Sequence, residues 1–77
     1  MSPLFTRRQP VSVYKIIEIV GTSTTSWEDA ATTAVNTAKE HLRDLRVAEV
    51  MRQDLDLSGD EVLFRVKLSV SFKYQEH

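Results

Sequence analysis

Glu61-Val62-Leu63-Phe64-Arg65-Val66-Lys67-Leu68-Ser69-Val70-Ser71-Phe72-Lys73-Tyr74 is the most regular stretch of the chain. Phe64, Val66, Leu68, Val70, Phe72 and Tyr74 recur at every second position, while Leu63, Arg65, Lys67, Ser69, Ser71 and Lys73 fill the alternate ones. Successive side chains of a strand point to opposite faces, so this period predicts a strand over about Glu61 to Tyr74 with one apolar face. Ser58-Gly59-Asp60 just before it has the composition of a hairpin turn. The run from about Arg46 to Leu57 is then the antiparallel partner strand.

Upstream, β-branched residues crowd Val11 to Val20, with Tyr14, Ile16, Glu18 and Val20 on one face and Val13, Lys15, Ile17 and Ile19 on the other. Both faces are mostly apolar, which predicts cover on two sides, from the domain's own helix and from neighbouring subunits. Gly21 to Thr25 reads as a turn. Ser26 is placed to cap a helix through the backbone N–H near Asp29, and Glu28 and Asp29 suit the positive end of its dipole. Trp27, Ala30, Ala31, Ala34, Ala38, Leu42 and Leu45 keep helical spacing, which predicts a helix from Trp27 to about Asp44 whose alanines approach a sheet closely. Thr32, Thr33 and Thr37 are poor helix formers, so packing must hold it more than propensity does. The elements compose an α+β subunit in the order β-α-β-β, a three-stranded antiparallel sheet curled around one helix.

A chain of 77 residues is one domain, and at that size folding buries only about 60% of the surface the unfolded chain exposes. There is no cysteine to staple it and only two histidines, His41 and His77, stand far apart. With disulfides and a structural zinc site set aside, self-association is the remaining common route to stability. The net charge of −1 has acids and bases interspersed, which argues against nucleic acid or an anionic membrane as partner. Residues 1–10 carry Arg7-Arg8 but no following apolar run, and read as a flexible N-terminal arm ahead of a single domain over 11–75. The default expectation is a soluble, cytoplasmic protein, although a chain without cysteine would also suit export.

Catalysis has little to stand on. The histidines are not paired with a nucleophile or a third orienting group, and Gly21 and Gly59, the only glycines, are too far apart for a phosphate loop.

Taken in order, Glu18-Ile19-Val20-Gly21-Thr22-Ser23, the helix opening Ser26-Trp27-Glu28-Asp29-Ala30-Ala31, then Ala48-Glu49-Val50, and finally Val66 to Phe72 resemble the dodecins over Val13 to Tyr74. The resemblance implies a prokaryotic, non-enzymatic ligand-binding or storage protein that assembles as a homododecamer. Most characterised members bind flavins such as riboflavin or FMN. In those, an aromatic residue, usually tryptophan, stands two positions before Glu-Val and stacks on the isoalloxazine ring; here that position is Val47. A glutamine of the third strand that hydrogen-bonds the flavin aligns with Arg65. Valine supplies neither the flat contact nor the stacking contribution of about 1 kcal/mol. Gly21-Thr22-Ser23 with Ser26-Trp27 and Arg46-Val47-Ala48 resembles instead the calcium dodecin branch.

Calcium takes six to eight oxygen ligands. The chain offers Glu18 on the first strand and Asp54 and Asp56, on one face of the second, as candidate metal ligands. Flavin in an altered pocket around Val47 and Arg65 is the alternative, and a purely structural shell a third reading. The bland alternative for the carboxylates is ion pairing: Glu18 with a lysine or arginine across the sheet, and Arg65 or Lys67 with Glu49 or Asp54 of a neighbouring subunit. Arg65 and Lys67 could also hold a phosphate or carboxylate.

Overall fold

A computed structural model of the chain describes residues 12–76. The expected arm over residues 1–10 lies outside the described residues, as do Val11 and His77. The elements follow the order read from the sequence: β1 (Ser12–Ser23), α1 (Trp27–His41), β2 (Leu45–Asp56) and β3 (Leu63–Glu76). The strands make one antiparallel sheet in the order β1-β3-β2. The last strand is thus the central one, and β1 and β2 form opposite edges.

That placement explains the regularity of β3. Its helix-facing side chains Val66, Leu68 and Val70 are at most 1% exposed and form the core with Ala30 and Ala34, each large one contributing about 1.5–3 kcal/mol by leaving water. Phe64 and Phe72 are only half-buried and Tyr74 is exposed, its ring lying under Lys15 Nζ at 5.5 Å. The reason is length. A helix of 15 residues spans about 22 Å, whereas the 14 residues of β3 extend about 46 Å, so α1 covers only the middle of the apolar face.

The helix approaches β1 very closely. A Cβ on Gly21 would stand 2.3 Å from the carbonyl oxygen of Ala30 and 2.9 Å from the Cβ of Ala34. Glycine opposite the small-residue stripe Ala30, Ala34 and Ala38, all buried, is what allows this packing. Just beyond, buried Ser23 ties the turn to the helix. Its hydroxyl donates to Asp29 Oδ2 at 2.6 Å and accepts from the Thr25 N–H at 2.9 Å, while the Asp29 N–H donates to the capping Ser26 Oγ at 2.9 Å. Ser23→Ala leaves a partly buried N–H without this acceptor and frees the Asp29 carboxylate. A loss of about 1–2 kcal/mol is expected in urea unfolding at fixed protein concentration, and a loss within error would mean that water takes over the hydroxyl's contacts.

The helix ends earlier than its spacing suggests. Leu42 already has extended dihedrals as the C-cap, its N–H donating to the Ala38 carbonyl at 2.8 Å. Asp44 adopts φ 59°, a left-handed conformation that aspartate tolerates better than most residues. Leu45 therefore reaches the core from the first position of β2 and not from the helix. The Asp44 carbonyl accepts from the Lys73 N–H at 3.0 Å, which fixes the reversal to β3.

Candidate functional site: the open face of the sheet

Strand alternation sends half of the sheet's side chains away from α1. The register arranges them in cross-strand rows on β1, β3 and β2 respectively: Ile16-Ser71-Val47, Glu18-Ser69-Glu49, Val20-Lys67-Arg52 and Thr22-Arg65-Asp54. One end of this face is apolar and hydroxylic, the other charged. Part of the pattern depends on a bulge. Val50 pairs with Leu68 on the helix side, but the next paired residue is Arg52, opposite Lys67, with Met51 left over. The extra residue turns Arg52, Asp54 and Asp56 to the open face, because a shift of one position exchanges the faces of a strand.

Asp54 and Arg65 lock together. Arg65 Nε donates to Asp54 Oδ1 at 2.7 Å and a terminal guanidinium nitrogen to Oδ2 at 2.9 Å, a two-bond fork. These hydrogen bonds hold the Asp54 carboxyl below its ordinary value of 3.8 and raise the Arg65 guanidinium. Asp56 Oδ1 accepts from the Ser58 hydroxyl at 2.6 Å and the Ser58 N–H at 2.9 Å, and these bonds lower its pKa as well. Glu18 meets Lys67 Nζ at 3.3 Å. The pairing alternatives for Arg65 with Asp54 and for Glu18 with a lysine thus occur within one subunit.

The candidate ligands fall into two groups. Asp54 and Asp56 lie together on β2, but Glu18 is on the opposite edge strand, two strands and four residues away, roughly 16 Å by strand spacing and rise. Among the described residues no three histidine, cysteine, aspartate or glutamate side chains stand close enough to hold one metal ion. One subunit therefore offers part of a calcium shell and not the whole of it. Val47 and Arg65 likewise share the open face three rows apart, roughly 20 Å, so a ring touching both positions would have to lie between subunits.

Trp27, the first residue of the helical stripe, packs against the core. It meets Phe64 edge-on at 5.1 Å, and its indole Nε1–H donates to the Asp54 backbone carbonyl at 3.1 Å. That second contact anchors β2 from behind at the residue whose carboxylate faces outward. Sequence spacing could have suggested the Ser23-Ser26-Asp29 network, whose members stand three apart; nothing in it signalled the Trp27 bond or the bulge at Met51.

Apolar side chains are exposed on both faces of the edge strands, Tyr14, Ile16, Val20 and Val47 on the open face and Val50 and Leu55 on the helix side of β2. Each is at least 44% exposed. No helix among the described residues is long and apolar enough to cross a membrane.

Comparison with known proteins agrees with the architecture. A protein-family model described as Dodecin matches residues 13–75. The chain is 52% identical over 64 residues to the calcium dodecin of Mycobacterium tuberculosis, covering 82% of this chain and 90% of that protein. The crystal structure of that calcium-chelating antigen, described as having a novel calcium-binding site, superposes with TM-score 0.75 at 51% identity over 83% of this chain and 93% of the other. The dodecin of Streptomyces coelicolor superposes with TM-score 0.76 at 30% identity, over 86% of this chain and 96% of that one. Fold order, extent of match and identity coincide, and the chain belongs to the dodecin family.

Proposed function

We propose that this chain is a non-enzymatic, calcium-binding member of its family, assembled as a cytoplasmic homododecamer that holds the ion between subunits. The observation that carries this reading is the Asp54–Arg65 fork beside Asp56. The position aligned with the flavin-contacting glutamine is an arginine already committed to a carboxylate, and Val47 offers no aromatic surface. Flavin thereby loses both of the contacts that the family uses, while Asp54 and Asp56 stand ionised on one strand face at neutral pH, and a cation reaching Asp54 takes the place of the Arg65 guanidinium that now occupies both of its oxygens. The 52% identity to a protein named calcium dodecin supports the same choice of ligand.

In this reading Asp54 and Asp56 of one subunit and Glu18 of another supply the carboxylate part of the shell. Glu18 and the aspartates stand on opposite edges of the sheet, so a contact that sets the β1 edge of one copy beside the β2 edge of the next brings them together. The exposed apolar residues of both edges give that contact its driving force.

Thermal unfolding with calcium and with chelator tests the proposal. A ligand that binds only the folded state at a hundred times its Kd adds about 2.7 kcal/mol, so calcium should raise the midpoint and chelator reverse it. Asp54→Asn with Asp56→Asn should remove the calcium response while leaving the particle's elution volume unchanged. Both folded-state pKa values lie below the ordinary 3.8. The charged forms therefore persist down to that pH, and the calcium response should be level from about pH 7 to 5 and disappear only as pH falls below 3.8 through the lowered folded-state values. A midpoint indifferent to calcium, or strong quenching of FMN fluorescence by the purified protein, would overturn the ligand assignment.

A further inference from the structure

Because α1 lies mainly over β1 and β3, it leaves Ala48 and Val50, on the helix side of β2, exposed. Two adjoining hollows, of about 360 and 210 Å3, share Val35, Lys39 and Ala48 and run as one groove between α1 and β2. The floor is apolar, from Val35, Ala48 and Val50. Both ionisable groups at its rim are cationic, Lys39 from the helix and Arg46 from the strand. Arg46 is the extra residue of a second bulge, since Leu45 pairs with Phe72 and Val47 with Ser71, and bulges re-aim side chains in this way.

The β2–β3 loop has the opposite character. Leu57 and Val62 at its two ends are 70% and 48% exposed, and between them stand Asp60 and Glu61 with no basic residue. The Asp56 carboxylate holds the start of this loop through the Ser58 N–H and hydroxyl, so part of the ordering that docking requires is already present in the free subunit. An apolar pair around two carboxylates complements an apolar floor between two cations.

We propose that the β2–β3 loop of one subunit seats in the α1–β2 groove of a second copy, with Leu57 and Val62 on the floor and Asp60 and Glu61 facing Lys39 and Arg46. This contact rests on the assembly reading above and assigns it a specific surface. Loop and groove are different patches, so the contact is head-to-tail, the kind that closes into rings when the rotation allows.

Charge exchange tests it. Lys39→Glu with Arg46→Glu sets four acids against one another, and Asp60→Lys with Glu61→Lys sets four bases together. Each pair of substitutions should move the protein from the large particle to smaller species in size-exclusion chromatography at low salt, with the far-ultraviolet circular dichroism of the subunit retained. The chain carrying all four should recover the large particle. Assembly of both half-exchanged chains like the wild type would overturn the contact, and so would failure of the fourfold chain to recover it. A wild-type protein that itself ran as a monomer would remove the assembly reading, and the contact with it; loss of the calcium response alone would leave the contact standing.

Discussion

Gly21→Ala is expected to destabilise the subunit by about 3 kcal/mol, the upper end of what one added methyl costs in a well-packed site. The new Cβ meets the Ala30 carbonyl oxygen at 2.3 Å and the Ala34 Cβ at 2.9 Å. Neither is the end of a flexible side chain. Relief would have to come from moving α1 away from β1, which would also loosen Ala30 and Ala34 from the core they share with Val66, Leu68 and Val70. Urea unfolding at fixed protein concentration measures the change. A loss under about 1 kcal/mol would mean that the helix shifts freely and that the close approach is incidental.

Leu68→Ala should cost as much or more. Leu68 is 1% exposed and pairs with Ile19 on one side and Val50 on the other, at the centre of the central strand. Truncating a buried leucine removes its transfer free energy and leaves a cavity, together about 2–5 kcal/mol. The neighbours along the strand that share its face, Val66 and Val70, are β-branched and stiff at χ1, so they are poorly suited to fill the space. A loss above about 3 kcal/mol is therefore expected, read from the same unfolding curves. A smaller loss would show that α1 settles into the vacated volume. Because Leu68 also flanks the α1–β2 groove, such settling would narrow the groove and weaken assembly of the variant.

Strand β3 was readable because every second residue over the covered part of its length answers to one apolar face, and a helix above a sheet imposes that alternation. The helix start was readable for a similar reason, since Ser26, Glu28 and Asp29 are local signals that no distant contact overrides. Its end was not. Leu42 and Leu45 continue the helical spacing past His41, although Leu42 is already extended and Asp44 turns left-handed at φ 59°; Leu45 keeps its apolar character because it packs on the core from β2.

At the candidate site, the alternation placed Asp54 and Asp56 on one face, and their register opposite β3 allows the fork with Arg65. What the sequence could not reveal is that β3 inserts between β1 and β2. That order is a matter of tertiary pairing, and it separates Glu18 from the aspartates. The bulges at Arg46 and Met51 are equally silent in composition, yet they decide which charges share a surface.

The hydrogen bond from Trp27 to the Asp54 carbonyl has a practical consequence. Trp27 is the only tryptophan in the chain, and its indole touches the backbone of the residue whose carboxylate is proposed to hold the ion. Every subunit thus carries one native fluorophore wired to the strand at that position. A change in emission on adding calcium would report the event without a label or a substitution, and the same emission followed on dilution would report the dissociation of the particle.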